Sequence, residues 1–153
     1  MGQESGTHLW LVLWKASRAL ERNAMKSISG LGIGLSDFAV LELLLHKGPQ
    51  SVNRIGRKVL LSSGSITAAI DRLEARKLVK RTTDAEDLRS RIVQLTAGGR
   101  KLIERAFAKH AVDMEETVAV LGPREREDLV RLLKKVGLWA ESRAEDCLSR
   151  GLH

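Results

Sequence analysis

Residues 87–96 read Asp-Leu-Arg-Ser-Arg-Ile-Val-Gln-Leu-Thr, a charged turn that runs into alternating apolar residues. Alternation sends successive side chains to opposite faces, so this stretch is predicted to be the tip and return strand of a β-hairpin. Leu78-Val79-Lys80-Arg81-Thr82 supplies the outgoing strand, and the acids Asp84, Glu86 and Asp87 fall in the turn. Just upstream, Ile66, Ala69, Ile70 and Leu73 recur at helical spacing and form a narrow inner stripe. The outer surface of that helix carries Ser63, Ser65, Thr67, Ala68, Asp71 and Arg72, most of them short. A slim helix followed at once by a basic hairpin is a restrictive combination.

The flanking segments extend the pattern. Residues 8–28 are predicted to be helical, with Leu9, Val12, Leu13, Ala16, Ala19 and Leu20 in phase, and alternate glycines at 30, 32 and 34 break the chain. Ser36 is the expected N-cap of a helix over Asp37–Lys47, with Leu35 and Val40 as its hydrophobic staple. Gly48-Pro49 stops it, and Ser51 caps a short helix over Val52–Val59. After the hairpin, Thr96 is placed to cap a long helix over 97–121. Gly122-Pro123 opens another that runs toward Cys147. The expected fold class is mainly α with a small β-wing: a winged helix-turn-helix domain over 35–96, an N-terminal helical part over 1–34 and C-terminal helices over 97–153. The outer parts are more apolar than a small winged domain needs for its core, so they are expected to pair with a second copy of the chain.

Charge placement narrows the partner. The chain carries 26 Lys and Arg against 19 Asp and Glu, a net +7. Residues 50–101 hold twelve of the cations and five of the acids, so the excess of that segment, twelve minus five, equals the whole net charge of +7. A localised basic excess is the footprint of a polyanion partner. Tyr is absent and there are 2 Phe, which leaves few platforms for stacking single-stranded bases and favours duplex DNA. The 1 cysteine, Cys147, excludes an internal disulfide or a multi-cysteine zinc site, and the 4 histidines show no metal-ligand spacing. No catalytic triad, phosphate loop or metal motif is present, so neither enzymatic activity nor a cofactor is expected. No apolar run approaches the roughly 20 residues of a membrane span, and no secretory signal is visible at the start. A cytoplasmic, non-membrane location is therefore expected.

Short outer side chains let a helix lie in a major groove about 12 Å wide, where hydroxyls can bond bases or phosphates. The hairpin can reach the adjacent minor groove through Arg89, with Asp87, two residues away, holding it in one rotamer. The expected DNA-facing set is Asn53, Arg54, Ser63, Ser65, Thr67, Ala68, Arg72, Arg81, Asp87, Arg89 and Arg91.

Taken together, Leu35-Ser36, Leu61-Ser62-Ser63-Gly64-Ser65-Ile66-Thr67, Asp71-Arg72-Leu73-Glu74, Leu78-Val79 with Arg81, and Asp87-x-Arg89 before Val93-x-Leu95-Thr96 resemble the MarR family of bacterial transcription regulators. The likeness spans about residues 8–140. It implies a homodimer on pseudo-palindromic double-stranded operators, with recognition helices in successive major grooves. It also implies a repressor released by a small aromatic or phenolic effector. The effector crevice of the family is bordered here by His8, Trp14, Phe38 and His46. Leu88 departs from the family pattern where many relatives have a second wing Arg. Gly98-Gly99 departs where one glycine is usual, and is expected to add flexibility between wing and helix. Some relatives sense oxidants through a cysteine near the N-terminus, where this chain has none. The competing reading is an architectural DNA-binding protein with no effector and little sequence preference.

Overall fold

The computed structural model describes residues 5–59, 61–83 and 91–149, with the backbone alone at residue 63 and residues 145–149. The element order is α1 (Gly6–Ile28), a single 3₁₀ turn (Ser29–Leu31), α2 (Leu35–Lys47), β1 (Gln50–Ser51), α3 (Val52–Val59), α4 (Ser63–Ala75), β2 (Val79–Thr83), β3 (Arg91–Leu95), α5 (Ala97–Thr117) and α6 (Pro123–Ser149). Backbone contacts divide the chain into one unit ending at Thr117 and a second beginning at Val118. No single helix among the described residues is long and apolar enough to cross a membrane.

The first unit has one core. Phe38, Val40, Leu41 and Leu44 of α2, Ile55 of α3, and Ile66, Ala69, Ile70 and Leu73 of α4 are all buried. Val79 and Val93 of the sheet and Ile103 and Ala106 of α5 close it. The inner stripe expected for α4 is thus fully internal. Ile55 and Gly56 are the buried positions of α3, and a Cβ on Gly56 would stand 3.4 Å from the Ile66 side chain. That close approach seats α3 against α4.

The hairpin pairs Val79 with Leu95, Arg81 with Val93 and Thr83 with Arg91 in antiparallel register. Sequence periodicity does not reveal β1, a two-residue strand that adds Gln50 and Ser51 to the other edge of β3, giving the order β1-β3-β2. Two residues are too short for a periodic signal, and the pairing depends on a partner more than forty residues away. Helix boundaries shift little. Ser62 caps α4, its Oγ accepting from the Ser65 amide at 3.2 Å. Ser36 lies inside α2, whose N-cap is Gly34 with no side-chain cap bond. Ser5 caps α1, and Ser51 accepts from the Arg54 amide at 3.4 Å at the start of α3.

The C-terminus of α4 is closed by backbone bonds to its own last turn. Leu78 donates its amide to the Leu73 carbonyl (2.9 Å) and Lys77 to Glu74 (2.8 Å), with Lys77 left-handed at φ 57°. This is a Schellman ending with a lysine at the position that glycine usually takes. Thr96 then clamps the same turn. Its amide donates to the Leu78 carbonyl (3.0 Å) and its Oγ1 to the Lys77 carbonyl (2.7 Å). The same Oγ1 accepts from the Gly99 amide at 2.9 Å, capping α5 as expected. Gly99 is buried, and a Cβ built on it would lie 1.8 Å from the Leu78 carbonyl oxygen. The second glycine of the pair is therefore a close-packing residue, not a source of flexibility.

Candidate nucleic-acid interface

The apolar stripe of α4 turns its other side outward, and Gly64, Ser65, Thr67, Ala68, Asp71 and Arg72 are all exposed there. The ridge is low because its first turns carry only hydrogen, hydroxyl and methyl substituents. Ser65 is partly engaged in the cap, since the Ser62 hydroxyl donates to its Oγ at 2.9 Å. Ser62 was not among the expected site residues, although the Ser-x-x-Ser spacing carries its signal. Asn53 and Arg54 are exposed on α3, as are Arg57 and Lys58. Arg91 is exposed at the start of β3 and donates to Thr83 Oγ1 at 2.9 Å across the hairpin. Asp87 and Arg89 lie outside the described residues, as does the side chain of Ser63.

Two expected DNA-facing arginines have partners within the protein. Arg72 donates from Nη2 to Asp37 Oδ1 (2.6 Å) and from Nε to Oδ2 (3.3 Å), a two-point pair between α4 and α2. Asp37 is 5% exposed, whereas about half of the Arg72 side chain faces solvent. The hydrogen bond to Asp37 and then its charge raise the Arg72 pKa above its ordinary value. Arg81 reaches from β2 to Glu74 and Asp71 on α4, and its amide donates to Glu74 Oε1 at 3.1 Å. Partial burial lowers its pKa, but the hydrogen bonds and charges of Asp71 and Glu74 outweigh this and the net direction is upward. Both guanidiniums stay charged, and both tie α4 to its neighbours. Neither pairing is visible in the sequence. Arg72 and Asp37 are 35 residues apart, and only the docking of α4 on α2 brings them together.

These pairs make a prediction. Removing the buried carboxylate leaves Arg72 without its anchor and loosens α4. Asp37→Ala is expected to lower the melting temperature by roughly 3–12 °C, with Asp37→Asn in between, since a hydrogen bond to a charged group contributes about 1.5–3 kcal/mol. Thermal denaturation followed by circular dichroism checks this, and an unchanged midpoint would remove the pair from the account of how α4 is held.

The residues expected near an effector are divided among different contacts. Phe38 is buried and packs on His110 of α5, ring centroids 4.8 Å apart, and His110 Nδ1 also bonds the Ser27 hydroxyl of α1. His46 meets Phe107 edge-on at 4.7 Å. Trp14 is half exposed on α1 and lies against Trp10 at 6.0 Å, and His8 is exposed near the start of the same helix. Phe38 and His46 thus share the α2–α5 seam, while Trp14 and His8 are exposed on α1.

Two helices joined by a turn, the second exposing a low polar ridge, followed by an antiparallel hairpin that β1 extends to a three-stranded sheet, define a winged helix-turn-helix protein. A family model described as the MarR family matches residues 33–90. The HTH-type transcriptional regulator MhqR of Bacillus subtilis (strain 168) is 40% identical over 138 residues, covering 90% of this chain and 95% of MhqR. Among solved structures, a mutant MarR from E. coli complexed with operator DNA superimposes with a TM-score of 0.77 at 26% identity, covering 84% of this chain and 92% of that one. BpsR of Bordetella bronchiseptica, solved for the regulation of its DNA binding by 6-hydroxynicotinic acid, gives a TM-score of 0.79 at 26% identity over 89% and 98% of the two chains. The chain belongs to the MarR family: it is a DNA-binding transcriptional regulator, not an enzyme.

Proposed function

We propose that two copies of this chain grip a pseudo-palindromic operator as a repressor and that a small aromatic or phenolic ligand releases it. The observation that carries the DNA-reading part is the outer ridge of α4, low and polar above a fully buried apolar stripe. In this reading Ser63, Ser65, Thr67 and Ala68 approach base edges, with Asn53, Arg54 and Arg91 on the flanking backbone. Arg72 and Arg81 hold the ridge and the wing in position and add positive potential. Arg89, oriented by Asp87, enters the minor groove. The dimer reading is supported by the apolar rows that α1 and α6 each leave exposed, including Trp10, Trp14 and Met25 on one and Leu132, Val136 and Trp139 on the other. Monomeric proteins rarely expose such rows. The effector reading is supported by the similarity to BpsR, whose DNA binding 6-hydroxynicotinic acid regulates. Three parts follow from this reading, an N-terminal helical part to about residue 34, a winged domain over 35–96 and C-terminal dimerisation helices beyond.

The test compares affinity for the chain's own promoter with affinity for random duplex at matched salt. Tight promoter binding that falls steeply with added salt is expected, because each neutralised phosphate releases counterions. A ratio near one would favour an architectural protein instead. Arg89→Ala is expected to weaken operator binding about tenfold while leaving the melting temperature unchanged, since one well-placed groove contact contributes about 1–3 kcal/mol. Unaltered affinity in a mobility shift would take the wing out of the mechanism.

A further inference from the structure

We propose that α4 reads thymine methyl groups and not guanines: the exposed Ala68 methyl, beside that of Thr67, packs on the C5-methyl of a thymine in the major groove. The proposal deepens the DNA-reading part of the function proposed above and rests on it.

Direct readout of a purine in the major groove takes a long donor, Arg or Lys for guanine and Asn or Gln for adenine. The α4 sequence contains no Lys, Asn or Gln, and its one arginine is Arg72. That guanidinium is already committed, since Nη2 and Nε both donate to Asp37 on α2, at 2.6 and 3.3 Å. Asp37 is 5% exposed, so an Arg72 that swung toward a base would leave a buried carboxylate without this partner. The cost of such an orphan is of the same order as what a guanine contact contributes. The acids of α4 are committed as well. Asp71 and Glu74 both bond Arg81 of β2, which draws their carboxylates toward the wing strand and away from the amino group of a cytosine.

What remains at the exposed head of the helix is Gly64, Ser65, Thr67 and Ala68. Hydroxyls donate and accept alike, so they distinguish bases poorly, and Ser65 Oγ also accepts from Ser62 in the cap. A methyl group does distinguish, because thymine alone among the four bases places one in the major groove. Gly64 stands one turn before Ala68 on the same face. Nothing lies within 4 Å of a Cβ built on Gly64, so packing among the described residues does not require a glycine there. Its missing side chain instead lowers the ridge where Ala68 has to come within about 4 Å of the base for apolar contact.

The experiment uses the full chain. Preferred sites are selected from random duplexes, and the best operator is remade with deoxyuridine in place of one thymidine at a time, which removes the methyl and keeps the base pair. At one thymine or more in each half-site the change should weaken binding about fourfold, the contribution of one buried methyl. Ala68→Gly should bind the thymidine and deoxyuridine duplexes alike at that position. Ala68→Gln, which preserves helix propensity and also lacks the methyl, should do the same, with circular dichroism confirming that both variants fold. A penalty that persists undiminished in both variants overturns the role of Ala68. Replacing guanine by 7-deazaguanine removes the N7 acceptor an arginine would use, and should cost the parent and Arg72→Lys equally. A guanine whose N7 matters to the parent but not to Arg72→Lys would show Arg72 reading bases and overturn the assignment. Should the parent prefer one sequence in a salt-dependent way yet ignore every deoxyuridine, the thymine reading fails while the regulator reading stands. A selection that returns no preferred sequence overturns both.

Discussion

Gly99→Ala is expected to cost at least about 3 kcal/mol and to lower the melting temperature by roughly 6–12 °C. The added methyl carbon would stand 1.8 Å from the Leu78 carbonyl oxygen, a backbone atom that no rotamer change can move away. That oxygen also accepts from the Thr96 amide, so displacing it opens the joint between wing, α4 and α5 together. Gly98→Ala is the control. Its Cβ would meet nothing closer than 3.8 Å, and its melting temperature should stay within a degree or two of the parent. If the two variants melt alike, the close approach at Gly99 is not what holds the joint.

Charging the apolar row of α6 should reduce operator affinity more than any single contact change. Leu129, Leu132, Val136 and Trp139 follow one another at spacings of three, four and three, the repeat of a helix face that packs on another helix. All four are more than a third exposed. Leu132→Glu together with Val136→Glu places two carboxylates in that row. The expected result is a monomer by sedimentation or light scattering. Operator affinity should fall by 10² or more, because a dimer gains about 10²–10⁴ from engaging two half-sites at once. Far-ultraviolet circular dichroism should change little, since the first unit keeps its own core. A dimer that survives the double substitution would move the interface off α6.

Operator binding links these two results. Gly99→Ala acts through the position of α4 and should weaken binding in proportion to unfolding. The α6 variant leaves α4 in place and should retain weak, salt-sensitive binding to a single half-site.

Much of the fold was legible in the residue pattern because it rests on local rules. The Ile66, Ala69, Ile70, Leu73 spacing is a helical stripe, and all four residues are buried. The Ile92–Leu95 alternation is a strand, and Val93 is its buried residue. Gly48-Pro49, Thr96 and Pro123 end or begin helices through backbone chemistry carried within a few residues. These signals also carry the family resemblance, since recognition helix and wing are adjacent in the chain.

What the sequence determined by itself was the six α-helices and the hairpin, the buried stripe of α4 and the alternation of β3, and the concentration of positive charge on the helix-hairpin segment. Only the tertiary structure decided which partner each outward side chain meets. It turned Arg72 toward Asp37 and Arg81 toward Glu74 and Asp71, paired β1 with β3, set Phe38 on His110, and made Gly99 a contact point. The reason is range. Periodicity and capping act over a turn or two of one element, whereas an ion pair 35 residues apart, or a missing Cβ against a distant carbonyl, exists only once whole elements have docked.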